Sequence, residues 1–183
     1  MVRRTKEDAV ATRNSLLDAA ERVFYDKGVS RASLGDIAQA AGATRGAIYW
    51  HFKDKADLFN AMMDRVTLPL EFACGFRGAG AEEEASLWRL RGAMRAALHA
   101  VATDERVRRV FEIAMYKVEY VQELDAVRDR HVMAREGFRA KLREDVVSAA
   151  KAQGLVLPMS ADVAAMGLCA LFNGLLQGWM LNR

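Results

Sequence analysis

Proline is nearly missing from this sequence: Pro69 and Pro158 are its only two among 183 residues. Proline is the strongest helix breaker, so its scarcity beside plentiful Ala, Leu, Met and Arg favours helix almost throughout. Cysteine is just as scarce. Cys74 and Cys169 stand apart, with no C-x-x-C and no histidine nearby. That argues against a disulfide framework or structural zinc and for two spare thiols in a reducing cytosol, with a redox role as the alternative. His99 and His131 lack a second ligand at helical spacing, so no metal is expected, and no other cofactor. No G-x-S-x-G, P-loop or H-E-x-x-H occurs, which removes the common enzyme signatures and points away from catalysis. No run alternates like a strand, and there are no repeats or low-complexity tracts. The charged start, Met1 to Asp8, is not followed by an apolar segment and does not read as a signal peptide. Ala161 to Leu181 is long enough to cross a bilayer. Asp162, Asn173, Gln177 and three glycines interrupt it, so it reads as a buried interface helix with no membrane partner.

What is present is a globular composition: 52% apolar and 28% charged residues. The net charge of +3 and pI near 9.0 suit a nucleic-acid partner without demanding one. Leu16, Ala20, Val23 and Phe24 form one stripe of a first helix over 8–27, with Gly28 as its C-terminal cap. Ser33, with Asp36 three residues on, opens a short second helix that stops at Gly42. Thr44 caps a third and Asp54 a fourth, which ends between Pro69 and Cys74. A loop follows over 72–84, with Glu82, Glu83 and Glu84 as a solvated edge. A fifth helix covers 85–102. The stretch from 104 to 153 would make a helix of about 75 Å, too long for the domain, so it must break near 117–122. An eighth helix opens at Ser160. The expected fold is all-α.

The segment 33–55 carries the strongest signal. Two helices of about eight residues meet at one glycine. Ala38 is small where they cross, Gly42 supplies a positive φ, and Ile48 plugs the core beneath the second helix. Those offsets are the packing pattern of a helix-turn-helix. An ordinary helical hairpin would account for these three residues. It would not account for Tyr49, Trp50 and His51 crowding one turn. The expected DNA-binding residues are Arg3, Arg4, Lys6, Ser33, Thr44, Arg45, Gly46, Tyr49, Trp50, His51, Lys53 and Lys55. Arg45 can bond a guanine edge or a phosphate, Gly46 lets backbone approach a surface, and Lys55 sits at a helix N-terminus.

The same residues carry a resemblance. Gly28-Val29, Ser33 to Ala38, and Gly42 to Lys55 with its Tyr-Trp-His-Phe run resemble the TetR family of regulators. Arg3 to Glu7 with Thr12-Arg13 narrows the likeness to the AcrR/TtgR subgroup, whose members repress multidrug efflux operons. The specific match covers about the first 60 residues, with weaker echoes at Lys117 to Tyr120 and Asn173 to Leu175. The resemblance implies a cytoplasmic homodimer that binds a palindromic operator in double-stranded DNA and releases it when a small lipophilic effector enters the protein. It implies a helix-turn-helix domain at 1–53 and an effector-binding and dimerisation domain at 54–183. Relatives usually continue into a ninth helix, and the resemblance leads one to expect that helix to be missing here.

The inward-facing apolar candidates for the effector site are Met62, Val66, Met94, Leu98, Phe111, Met115, Met133, Phe138, Phe172, Asn173 and Leu176. Any one Met or Phe could equally be plain core. Nine methionines favour an adaptable lining. Asn173, amid Phe172, Leu175 and Leu176, is expected to be buried, bonding either a ligand or helix backbone. Relatives of the subgroup can carry an acid there, so its absence argues against a preference for cationic ligands. Glu112 is an alternative source of that charge. The competing functions are regulation of another metabolic or stress operon, and ligand-independent DNA binding.

Overall fold

The computed structural model describes residues 6–73 and 87–182. Arg3, Arg4, Cys74 and the expected loop from residue 74 onward, with its three glutamates, lie outside the described residues. Among the described residues eight α-helices follow one another: α1 Lys6–Lys27, α2 Leu34–Ala40, α3 Arg45–His51, α4 Lys55–Ala73, α5 Leu87–Thr103, α6 Glu105–Tyr116, α7 Asp125–Ala152 and α8 Ala161–Leu181. A short 3-10 turn, Gln122–Leu124, lies between α6 and α7, where the long helical stretch was expected to break. Among the described residues there is no strand. Pro69 sits inside α4 and does not stop it before Ala73.

The chain divides into two compact units, Met1–Val66 with Glu105–Arg130, and Thr67–Asp104 with His131–Arg183. In the first, α1 packs on α2 and α6, and α2 on α3. Leu16, Leu17, Phe24, Ile37, Ile48 and Leu58 are fully buried at its centre. Ser33 and Asp36 form a reciprocal capping box at the start of α2. The Ser33 hydroxyl and the Lys27 ammonium beside it hold the Asp36 carboxyl down at about 2. Thr44 Oγ1 accepts the Ala47 N–H at the start of α3.

Between α2 and α3, Gly42 adopts φ +67°, and Ala43 N–H returns to the Ala38 carbonyl at 2.9 Å. A Cβ at Gly42 would meet nothing within 4 Å. The glycine is therefore held by backbone strain alone, not by space. Gly42→Ala is expected to cost about 1–2 kcal/mol, the left-handed penalty of an L-residue. Urea unfolding measures it. A loss below about 0.5 kcal/mol, within the range of an ordinary surface change, would mean the turn reshapes freely.

In the second unit Leu142, Ala165 and Cys169 form a buried cluster, flanked by Met94, Phe138 and Leu168. The Phe138 and Phe172 rings lie 5.7 Å apart. Burial pushes the Cys169 thiol up, away from the reactive thiolate. Ser160 caps α8 by accepting the Val163 N–H. By length and composition α8 could cross a membrane, yet only 22% of its apolar window is buried within the chain. The chain alone therefore does not supply the burial expected of an interface helix. Val163, Met166, Leu171, Leu175, Trp179 and Leu181 are exposed along it.

Candidate nucleic-acid interface

The surface centres on α3, which has seven residues and two faces. Ala47 and Ile48 turn inward, because one apolar step in each turn is needed to seat so short a helix on α1 and α2. Arg45, Gly46, Tyr49 and Trp50, the other positions ahead of His51, turn outward. Thr44, Arg45, Gly46, Tyr49 and Trp50 are exposed, Trp50 to 73%. An indole that large on the surface has no folding role that its exposure would serve, and it offers an apolar face to a thymine methyl or a sugar. His51 is half-buried, its ring edge-on to Trp50 at 4.5 Å. A Cβ at Gly46 would meet nothing nearer than Thr44 Oγ1 at 4.0 Å. Packing within the chain does not require the glycine, and close approach by an outside partner does give a reason for it.

Charge follows the same geometry. Arg65, Arg106, Arg109, Arg128 and Arg130 each sit on a carboxylate of the first unit. Lys6, Arg45 and Lys53 have no such partner among the described residues, and all three are exposed. Their charge is left for an anionic partner. Arg45 stands at the N-terminal end of α3, the end from which a recognition helix reaches base edges. Lys53 follows its C-terminal end.

Two expected contacts are corrected by the geometry. Lys55 is only 5% exposed. Its ammonium donates to the carbonyls of Ser30 at 2.8 Å and Ala32 at 3.1 Å, and pairs with Glu123 at 3.2 Å. An ammonium has three donors, all three are used, and none remains for a phosphate. Ser33 is exposed, but its hydroxyl donates its one proton to Asp36 at 2.8 Å and accepts the Asp36 N–H. It has no proton left for a phosphate oxygen, so its role is the cap.

Sequence reading also missed a cluster that sets the position of this surface. Glu21 of α1, buried, lies between Arg65 of α4 and Arg106 of α6, with Asp18 bridging the same two guanidinium groups. The connection after α6 is tied to the α1–α2 turn as well. Val29 N–H donates to the Lys117 carbonyl at 2.8 Å, and the Ser30 hydroxyl to Glu119 at 3.0 Å.

The expected effector residues divide by unit. Met62 and Val66 are buried and Phe111 and Met115 half-buried in the first. In the second, Leu176 is buried, and Met94, Leu98, Phe138 and Phe172 are half-buried. Met133 and Asn173 do not face inward. Met133 is 74% exposed, and Asn173 is exposed too, although Cys169 and Leu176, one turn to either side of it, are buried. One turn is 3.6 residues, so position 173 lies at the flank of that buried stripe and not at its centre, although its sequence neighbours are apolar.

The comparisons with known proteins agree with this arrangement. Residues 16–62 match the model described as bacterial regulatory proteins, tetR family. Residues 85–183 match the model of the MAATS-type transcriptional repressor C-terminal region. The HTH-type transcriptional regulator TtgR of Pseudomonas putida is 35% identical over 182 residues, covering 99% of this chain and 86% of the relative. The structure of NalD, the secondary repressor of the MexAB-OprM multidrug efflux pump in Pseudomonas aeruginosa, matches with a TM-score of 0.82 at 35% identity, over 94% of this chain and 86% of NalD. A complex of triclosan with SmeT, the repressor of a Stenotrophomonas maltophilia efflux pump, matches with a TM-score of 0.79 at 30% identity, over 93% and 81%. An all-α chain with an exposed, cationic recognition helix and these relatives is a DNA-binding transcriptional regulator and not an enzyme, and it belongs to the TetR family.

Proposed function

We propose that this chain is a cytoplasmic repressor of a multidrug efflux operon that binds a palindromic operator as a homodimer and is released by a small lipophilic compound. The observation that carries the DNA half is the surface at α3, where Arg45, Tyr49, Trp50 and Lys53 are exposed and the two cations have no carboxylate partner among the described residues. Pump repression rests on NalD and SmeT. On this reading residues 1–53 hold the DNA, and 54–183 serve effector binding and dimerisation.

Dimerisation is supported by α8. Leu171, Leu175 and Trp179 recur at intervals of four on its exposed side. Gly167, Gly174 and Gly178 lie along the same helix, and a Cβ at any of them would meet nothing within 4 Å. Bare glycines beside large apolar groups suit close approach by a second copy of the helix. For the effector we assign the second unit's interior: Met94, Leu98, Phe138, Phe172 and Leu176. Their Met and Phe side chains suit an apolar or aromatic compound. SmeT binds triclosan, an apolar aromatic molecule, which makes triclosan the first probe to use.

One experiment tests the whole reading: selection of bound DNA from random sequence, then footprinting with and without triclosan. The expected site is two-fold symmetric, with half-sites separated by about 34–36 Å or a multiple of it. Triclosan should weaken the complex by roughly 5–150-fold, the ordinary range of allosteric coupling. Arg45→Ala should narrow the gap between operator and random DNA by about 1–3 kcal/mol if Arg45 reads a base. An asymmetric half-site held tightly by monomer would sink the dimer reading. An equal loss on all DNA for Arg45→Ala would make it a phosphate contact only.

A further inference from the structure

We propose that Arg13, on α1, is a DNA-backbone contact held in place by the ring of Phe52, an assignment that rests on the DNA-binding reading above. Its guanidinium lies 5.3 Å from the Phe52 ring centroid. Phe52 is the C-terminal cap residue of α3 and is 2% exposed, so the ring is fixed and the cation over it is placed with it. Arg13 itself is exposed, and no carboxylate pairs with it among the described residues.

The manner of seating matters. Other arginines of this unit, Arg65, Arg106 and Arg130 among them, are oriented by carboxylates, which also cancel their charge. An aromatic face orients a guanidinium and leaves its full charge and its N–H groups available. The seat is at the far end of α3 from Arg45, next to Lys53. The Ser15 hydroxyl, two residues along α1, reaches the Ala41 carbonyl at 3.4 Å, so this part of α1 runs along the α2–α3 turn. A recognition helix reads bases from its N-terminal residues, so cations flanking its other end meet the sugar-phosphate strand. Arg13, within α1, and Lys53, just past the end of α3, thus form a pair that grips the backbone from two different helices.

The test is DNA binding by the full chain at a series of salt concentrations, on operator and on random DNA. Arg13→Ala should lower the slope of log affinity against log salt by about 0.9 per subunit and weaken both DNAs alike, by roughly 3–10-fold at moderate salt. Arg13→Lys should restore most of the slope, because a phosphate contact needs charge more than shape. The melting temperature of both variants should match the parent protein, since neither side chain fills core. An unchanged slope overturns the proposal. So does a loss confined to operator, which would mean a base contact. So does a lowered melting temperature with a binding loss that lysine does not restore, which would mean a structural role. Failure of the parent protein to bind any DNA in a salt-dependent way would instead remove the reading on which this rests.

Discussion

Glu21→Ala should lower stability by about 3 kcal/mol. The carboxylate is buried and lies between two guanidinium groups on different helices, Arg65 on α4 and Arg106 on α6. Its removal takes away the shared counter-charge of both. Arg106 is half exposed and can turn to water or to Asp18, so little is lost there. Arg65 is the costly partner. Its Nε is already buried without a hydrogen-bond partner, and its Nη2 would keep only Asp18. A largely buried cation that loses its buried counter-charge and keeps only a half-exposed one is what makes breaking this pair expensive. Typical domains have a total stability of about 5–15 kcal/mol, so the variant should remain foldable with a lower urea midpoint. Glu21→Gln keeps an acceptor and should lose about half as much. A loss below about 1 kcal/mol for the alanine variant would put the cluster in the class of surface ion pairs and remove it as the tie between α1, α4 and α6.

None of that cluster was legible in the sequence, for a physical reason. Asp18 and Glu21 are three apart and read as two solvated acids on α1. Their partners lie 44 and 85 or more residues away. Local signals behaved differently. The caps at Ser33, Thr44 and Ser160, the positive φ at Gly28 and Gly42, and the inward Ala38 and Ile48 each depend on residues within a turn or two, and each is found where expected. The helix break after residue 116 was likewise forced by length alone.

The site was readable to the same extent. Exposure of Tyr49 and Trp50 follows from the period of α3, once Ala47 and Ile48 are fixed as its inner face. Asn173 shows the failure of the opposite inference. Its apolar neighbours in sequence suggested burial, but α8 carries apolar residues at exposed as well as buried positions, so the surroundings in sequence do not tell whether a residue is covered. A helix apolar all round says that something covers its second face. It does not say that the covering comes from its own chain.

Lys55 is the residue for which a stability measurement and a binding measurement give opposite answers under the two readings. As a phosphate contact it would be dispensable for folding, and its loss would flatten the salt dependence of DNA binding. As the structure places it, the ammonium closes a knot of the α1–α2 turn, the start of α4 and the 3-10 turn before α7 through Ser30, Ala32 and Glu123. Lys55→Met keeps most of the apolar stem and removes all three bonds. Glu123 is mostly exposed and returns to water at little cost. The two carbonyls do not, since the Ala32 bond is buried and that of Ser30 partly so. An unsatisfied buried acceptor costs about 1–3 kcal/mol, so a loss of about 2–4 kcal/mol is expected for the pair. The salt slope, measured on protein that is fully folded at low temperature, should remain that of the parent. A slope reduced by about 0.9 with unaltered unfolding would return Lys55 to the DNA surface and show that its buried bonds give way when DNA binds.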